Sequence, residues 1–349
     1  MGRTATVTND TMIGVDLAKS VFQLHAASAT GQLLFRKKLS RSAFAKFAAE
    51  HPPATIVMEA CGSAHYWARE LAQYGHEVKL IPPQYVRPFV KRQKNDAADA
   101  EAIVIAAQRP EMRFVETKSA EQQCRAMLFR TRSRLVRQRT ELTNMLRAFL
   151  YELGHVVPQG IHNLPRIANI VGDCDNDLPE IARMECHDLL EQIAAMTGRI
   201  ATSDRRIKAL AGQADIARRL QTMPGVGPLT ALAVEAFAPP MESFDCGRDF
   251  AAWLGLVPKQ HSSGGKERLG RVSKAGQSDI RQLLIMGAMS RLNWMGRKSI
   301  PGTSWLARML ARKPRMLVAI ALANKMARTM WAMLANQEDY RPPATAIAA

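Results

Sequence analysis

The order of short apolar runs between residues 11 and 107 constrains this chain more than any other feature. "TMIGVDLA" (11 to 18) reads as a strand with an acid, Asp16, near its end. "VFQLHAAS" and "QLLFRKKLS" follow, split by the turn signal "ATG", and read as two more antiparallel strands. "RSAFAKFAAEH" has helical spacing and stops at a Pro-Pro pair. "TIVMEA" (55 to 60) then reads as a buried strand carrying Glu59. A helix over "SAHYWARELAQYG", a strand over "EVKLI" and a helix holding Asp96 and Asp99 complete the series.

Three strands, helix, strand, helix, strand, helix is the order of an α/β ribonuclease H-like (RuvC-like) domain, expected over residues 1–115. In that order an acid ending the first strand and one on the fourth can converge. Asp96 and Asp99 share a helix face by their i, i+3 spacing. Each acid alone reads better as a strand end or a helix start favoured by the dipole. Taken as an ordered set, Asp16, Glu59, Asp96 and Asp99 read as a metal site, because gathered carboxylates repel unless cations compensate. The natural cofactor for an all-oxygen set is Mg²⁺, and two ions suit phosphodiester chemistry.

From about residue 118 to 153 the pattern becomes one long helix, and a coiled-coil segment is expected over 116–211. Leu128, Leu135, Leu142 and Phe149 recur every seven residues, which suits an internal helix hairpin or an oligomer contact equally. Arg125, Arg130, Arg132, Arg134, Arg137, Arg139 and Arg147 lie on the same stretch and read as a phosphate track, with Arg130, Arg134 and Arg137 as candidate nucleic-acid contacts. A mainly α domain is expected over 212–349. In it, "PGVG" before "PLTALAV" reads as a helix-hairpin-helix-like element, with Gly225 and Gly227 offering backbone amides to a phosphate.

Charge narrows the partners. The formal net is +17, and from Lys259 to Ala349 there are 16 Lys and Arg against 4 Asp and Glu. Such a lopsided balance points to a polyanion, usually nucleic acid. Five scattered cysteines without a CxxC pair disfavour zinc and disulfides and suit a reducing cytoplasm. The longest apolar run, "MLVAIALA" (316 to 323), falls well short of the ~20 residues that span a bilayer, so no membrane role is expected.

"HSSGGKERLGRVSKAG" poses a separate question. Two serines precede two glycines among Lys259, Lys266, Arg268, Arg271 and Lys274. Read plainly, this is a flexible phosphate-contacting loop between helices, since Gly and Ser are usual loop constituents. The functional reading makes one serine a nucleophile on a DNA phosphate, with the cations stabilising developing charge.

In order, "IGVDLAK", "VMEACGS", "KNDAADA", "MPGVGPLTA", "FAAWLGLVPKQHSSGG" and "GRVSKAGQSDIRQLL" resemble the motifs of the IS one-ten family of bacterial insertion-sequence transposases, including its eleven-eleven subgroup. The resemblance runs from about residue 10 to about residue 335. It implies that Asp16, Glu59, Asp96 and Asp99 are the acids that hold Mg²⁺ and that Ser263 is the nucleophile, linking covalently to DNA before strand exchange. It also implies DNA ends and target as substrates, a structured guide RNA, and a homo-oligomer, dimer or tetramer. The stretch between Ser263 and "SKAG" is shorter than in some relatives, so Ser262 stays an alternative. Two rival functions remain: a RuvC-like Holliday-junction resolvase or nuclease working by two-metal hydrolysis, and a non-catalytic nucleic-acid-binding protein with structural carboxylates.

Overall fold

The computed structural model describes residues 11–90, 96–295 and 304–342, and of Asp96 and Ala97 the backbone alone. The chain forms two compact units, Met1–Glu121 and Gln122–Ala349.

In the first unit, β1 (Thr11–Leu17), β2 (Val21–Ser28) and β3 (Leu33–Ser40) form an antiparallel meander. After α1 (Arg41–Glu50), β4 (Thr55–Glu59) pairs parallel with the other side of β1. After α2 (Ala64–Gln73), β5 (Glu77–Ile81) pairs parallel with β4, giving the sheet order β3-β2-β1-β4-β5 of a ribonuclease H-like domain. Alternation along the strands sorts side chains to two faces. Ile13, Val15, Ile56 and Met58 join Phe22, Phe44 and Trp67 in one core, where those aromatic rings meet edge to face at 5.0 to 5.2 Å. Val57 and Ile81 point the other way, into a core with Ala102, Ile103 and Ala106 of α4 (Asp96–Ala107). The short helix α3 (Pro83–Val86) leads into α4 and adds Val86 to that second core.

Gly14 sets how closely α4 lies on the sheet. A Cβ there would stand 2.5 Å from the Ala100 carbonyl oxygen and 2.6 Å from a Val104 methyl. Gly14→Ala should therefore lift α4 from β1 and cost about 1–3 kcal/mol, as overpacking typically does. A chemical-denaturation midpoint that does not move would contradict this contact.

In the second unit, α5 (Ala120–Glu152) and α7 (Glu180–Gln213) run antiparallel as an internal hairpin, joined through α6 (Leu164–Gly172). Arg132 bonds Asp204, the Arg139 guanidinium donates to Thr197 Oγ1, and Leu146 and Leu150 share a core with Cys186, Leu189 and Ile193. The seam is not the one the leucine spacing marks. Leu135 is buried, but Leu128 and Leu142 are only half-buried and Phe149 is 46% exposed. Phe129, Thr143 and Leu150 are buried instead, one residue later. Arg132 and Arg139 stand among the contact positions, so an apolar count locates the stripe a residue early.

Beyond the hairpin, α8 (Asp215–Gln221), α9 (Pro228–Phe237), α10 (Gly247–Trp253), α11 (Ser278–Met295), α12 (Trp305–Leu310) and α13 (Arg315–Ala335) build one apolar core. A two-stranded antiparallel hairpin, β6 (Pro258–Gln260) and β7 (Leu269–Val272), projects between α10 and α11. The exposed loop expected between two helices is the tip of this hairpin, residues 261–268, with the two short strands flanking it. Among the described residues, no helix is long and apolar enough to cross a membrane.

Candidate active site

The sheet pattern that builds the first unit also gathers its acids. Val15 of β1 pairs with Met58 of β4, so Asp16 and Glu59 are the next residues on two neighbouring parallel strands. By alternation both fall on the face that α4 covers, opposite to Val15 and Met58. On α4, Asp99 begins the stripe that continues through Ile103 and Ala106 into the core under the sheet. Asp96 lies one turn earlier on the same helix, and its side chain is outside the described residues.

Electrostatics record this convergence. Burial pushes the Glu59 carboxyl above the usual carboxylate range, the Asp99 charge pushes it further, and the Arg87 guanidinium pulls it part of the way back. Asp16, Glu59 and Asp99 are all half-buried. Their oxygens do not all close to within 4.8 Å of one another. The donor chemistry fits a hard divalent cation, since every group is a carboxylate and Glu59 carries the adverse charge of Asp99 nearby. The acid that follows them in sequence is not part of the group. Glu101 accepts from Arg36 of β3 at 3.1 Å, on another face of α4.

The raised Glu59 pKa has a consequence for stability. The folded protein holds that proton more tightly than the unfolded chain does. The resulting stability is full below the unfolded value of 4.5 and is lost as pH rises through the raised folded value. Glu59→Gln removes this penalty, so in chelator its Tm should exceed that of the unmodified chain at neutral pH and lose the advantage in acid. Added Mg²⁺ should raise the Tm of the unmodified chain more than that of the variant. Equal Tm values at every pH would contradict the buried, crowded carboxyl.

The serine stretch has definite geometry. His261 N–H donates to the Arg268 carbonyl at 2.8 Å, and Lys266 N–H to the Ser263 carbonyl at 3.1 Å. Between them Gly264 (φ 57°) and Gly265 (φ 76°) form a two-residue turn that needs positive φ at both places, the primed type that fits a twisted hairpin. Cross-strand partners share a face, so Ser263, Lys266, His261 and Arg268 lie on one side of the hairpin and Ser262 on the other. The His261 ring fills the space beside Gly270, where a Cβ would stand 2.8 Å from it. The two serines differ: the Arg268 amide donates to Ser262 Oγ at 3.4 Å, whereas Ser263 Oγ has no hydrogen bond among the described residues. Residues 261–271 are exposed throughout. Arg271 lies past the glycine on β7, and Lys274 just after the strand.

The other candidates separate by burial. Arg130, Arg134 and Arg137 are exposed and form one line on α5 at i, i+4, i+7, with the Arg130 guanidinium 5.9 Å from the Phe237 ring centre. Four arginines of the same stretch are engaged inside the unit: Arg125 with Glu235, Arg132 with Asp204, Arg139 with Thr197 and Arg147 with the Val157 carbonyl. Gly225 packs its backbone against Gly287 of α11, a structural contact. Gly227 is exposed at the start of α9, with open space above it. Sequence reasoning missed Arg87, which precedes Pro88 without any charge pattern to mark it. The ligand atoms of His187, Asp188 and Glu191 also converge, exposed on α7, as acidic surface groups commonly do.

Comparison with known proteins agrees with this architecture. Residues 13–154 match a transposase family with an Asp-Glu-Asp-Asp domain, and residues 217–301 match the family described as Transposase IS116/IS110/IS902. A "Probable family 20 transposase" of Pseudomonas aeruginosa is 44% identical over 96% of this chain and 99% of its own length. The transposase for insertion sequence element IS1328 of Yersinia enterocolitica is 39% identical over 93% of this chain and 96% of its own. That for element IS1111A of Coxiella burnetii is 38% identical over 95% and 91%. The chain belongs to the IS116/IS110/IS902 family of insertion-sequence transposases.

Proposed function

We propose that this transposase cuts and rejoins DNA through Ser263, with the carboxylates Asp16, Glu59, Asp96 and Asp99 holding Mg²⁺ for the same reaction. The observation that carries the reading is the Gly-Gly hairpin, which leaves the Ser263 hydroxyl exposed, and unbonded among the described residues, on a face with Lys266, Arg268 and His261. Bound Mg²⁺ would supply charge stabilisation at the phosphodiester oxygens. The Ser263 Oγ–P bond forms as a P–O bond of the DNA breaks; the hydroxyl proton is lost, and the departing DNA oxygen takes one up. Because one phosphate ester replaces another, the link keeps the energy of the broken bond. A second DNA hydroxyl can then displace the serine without any further cofactor. Lys266 and Arg268 offset the charge that develops on the phosphate.

Domain 1–115 carries the acids, the helical segment 116–211 carries the exposed line Arg130, Arg134 and Arg137, and domain 212–349 carries the serine and the Gly227 amides. The line of arginines suits a nucleic-acid backbone, DNA or a structured guide RNA, and a dimer or tetramer would bring two DNA ends together. The test is excision of the element from its native flanking DNA in cells, scored by the rejoined junction. Loss in both Ser263→Ala and Asp99→Asn supports the two-part reaction. Loss in Asp99→Asn alone, with Ser263→Ala unimpaired, would favour a resolvase or nuclease using hydrolysis.

A further inference from the structure

Among the described residues only two that are not glycine have positive φ, Lys274 and Gln337, each at 55°. Gln337 directly follows Asn336, the residue that caps α13, a place where left-handed residues ordinarily close a helix. Lys274 has no such reason. It comes after β7, in "VSKAG", in a conformation that Gly or Asn adopts with less strain.

The surrounding segment is held in place from several directions. Ser273 N–H donates to the Val257 carbonyl at 2.8 Å and Lys274 N–H to the Gly255 carbonyl at 3.2 Å. The Arg281 guanidinium donates to the Leu254 and Ala275 carbonyls, each at 2.8 Å. Gly276 lies against the Trp253 carbonyl and Gly255 against Ala275, both too close for a side chain. A backbone so over-determined can hold a strained residue, and strain that persists where a glycine would relieve it points to use of the side chain. That side chain is exposed, on a loop beside Ser273, Ala275 and Gly276.

We infer that Lys274 is a rigidly presented cation that grips a DNA backbone phosphate and fixes the strand along the β6–β7 hairpin. This rests on the reading of the second unit as the part that engages DNA. Ser263 lies five residues from the hairpin base at Pro258, about 17 Å at ~3.3 Å per residue. Lys274 is a positioning residue.

The test is the salt dependence of binding to a duplex carrying the gene's native flanking DNA, measured on full-length protein in the Ser263→Ala background so that no reaction intervenes. Lys274→Gly and Lys274→Asn should each lower the slope of log affinity against log salt by about 0.9, the value of one phosphate contact. Their Tm values should equal or exceed that of the parent, and Lys274→Arg should keep the parent slope. An unchanged slope in Lys274→Gly would overturn the inference. So would a fall in Tm in both the Gly and Asn variants, since the lysine would then be supporting the loop. A slope lost on a hairpin RNA but not on the duplex would overturn the assignment to DNA. Serine chemistry is scored separately by DNA linkage in the unmodified chain, so either idea can fail without the other.

Discussion

Ser263→Ala is expected to reduce excision by at least about 10⁴-fold, the scale on which losing a nucleophile acts when its partners remain. The exposed hairpin tip gives the substitution little to destabilise, so Tm and DNA affinity should stay near those of the unmodified chain. Ser262→Ala is the informative neighbour. Its hydroxyl accepts from the Arg268 amide across the hairpin, a weak structural bond at 3.4 Å, and it faces away from Lys266. Removing it should leave most of the activity. Equal loss in both variants would mean that the hairpin's shape matters rather than one hydroxyl. Full activity in Ser263→Ala would remove the serine from the chemistry.

Asp99→Asn is the second large effect. Its side chain begins the α4 stripe that Gly14 allows to rest on β1, and its charge reaches Glu59. Asparagine keeps the size and loses the charge, so α4 should stay docked and DNA binding should persist. Excision should fall by about 10²- to 10³-fold or more, the cost of losing one group that stabilises developing charge. With the neighbouring charge gone, the Glu59 carboxyl should ionise more easily, which a titration followed by NMR can read. Retained excision would end the assignment of these acids to a metal site, and a fall in stability matching the fall in activity would make them structural.

How far the sequence reaches depends on how local the deciding interaction is. "VFQLHAAS" and "EVKLI" read as strands and are β2 and β5 over those same residues, because alternation is written within each run. The order of elements carries the sheet topology, which brings Asp16 and Glu59 onto neighbouring strands. The α5 seam is different: which stripe faces inward depends on Asp204 and Thr197 of α7, and neither is visible from the leucines of α5. The hairpin was obscured because its strands are polar and almost wholly exposed, with no alternation to find. Its one legible signal was the Gly-Gly pair, which demands a turn with positive φ. Neither Arg87 beside Glu59 nor the strained backbone of Lys274 has any signature in one sequence.

The most direct measurement isolates the protein under denaturing conditions from cells that carry its gene with native flanking DNA, digests it, and seeks a nucleotide mass on the peptide containing Ser263. The account predicts that mass on Ser263 in the unmodified chain, its retention in Ser262→Ala, and its loss in Ser263→Ala and in Asp99→Asn. DNA cleaved in an Asp99-dependent manner with no nucleotide on any serine would contradict it, and would leave hydrolysis by the carboxylate site as the reaction.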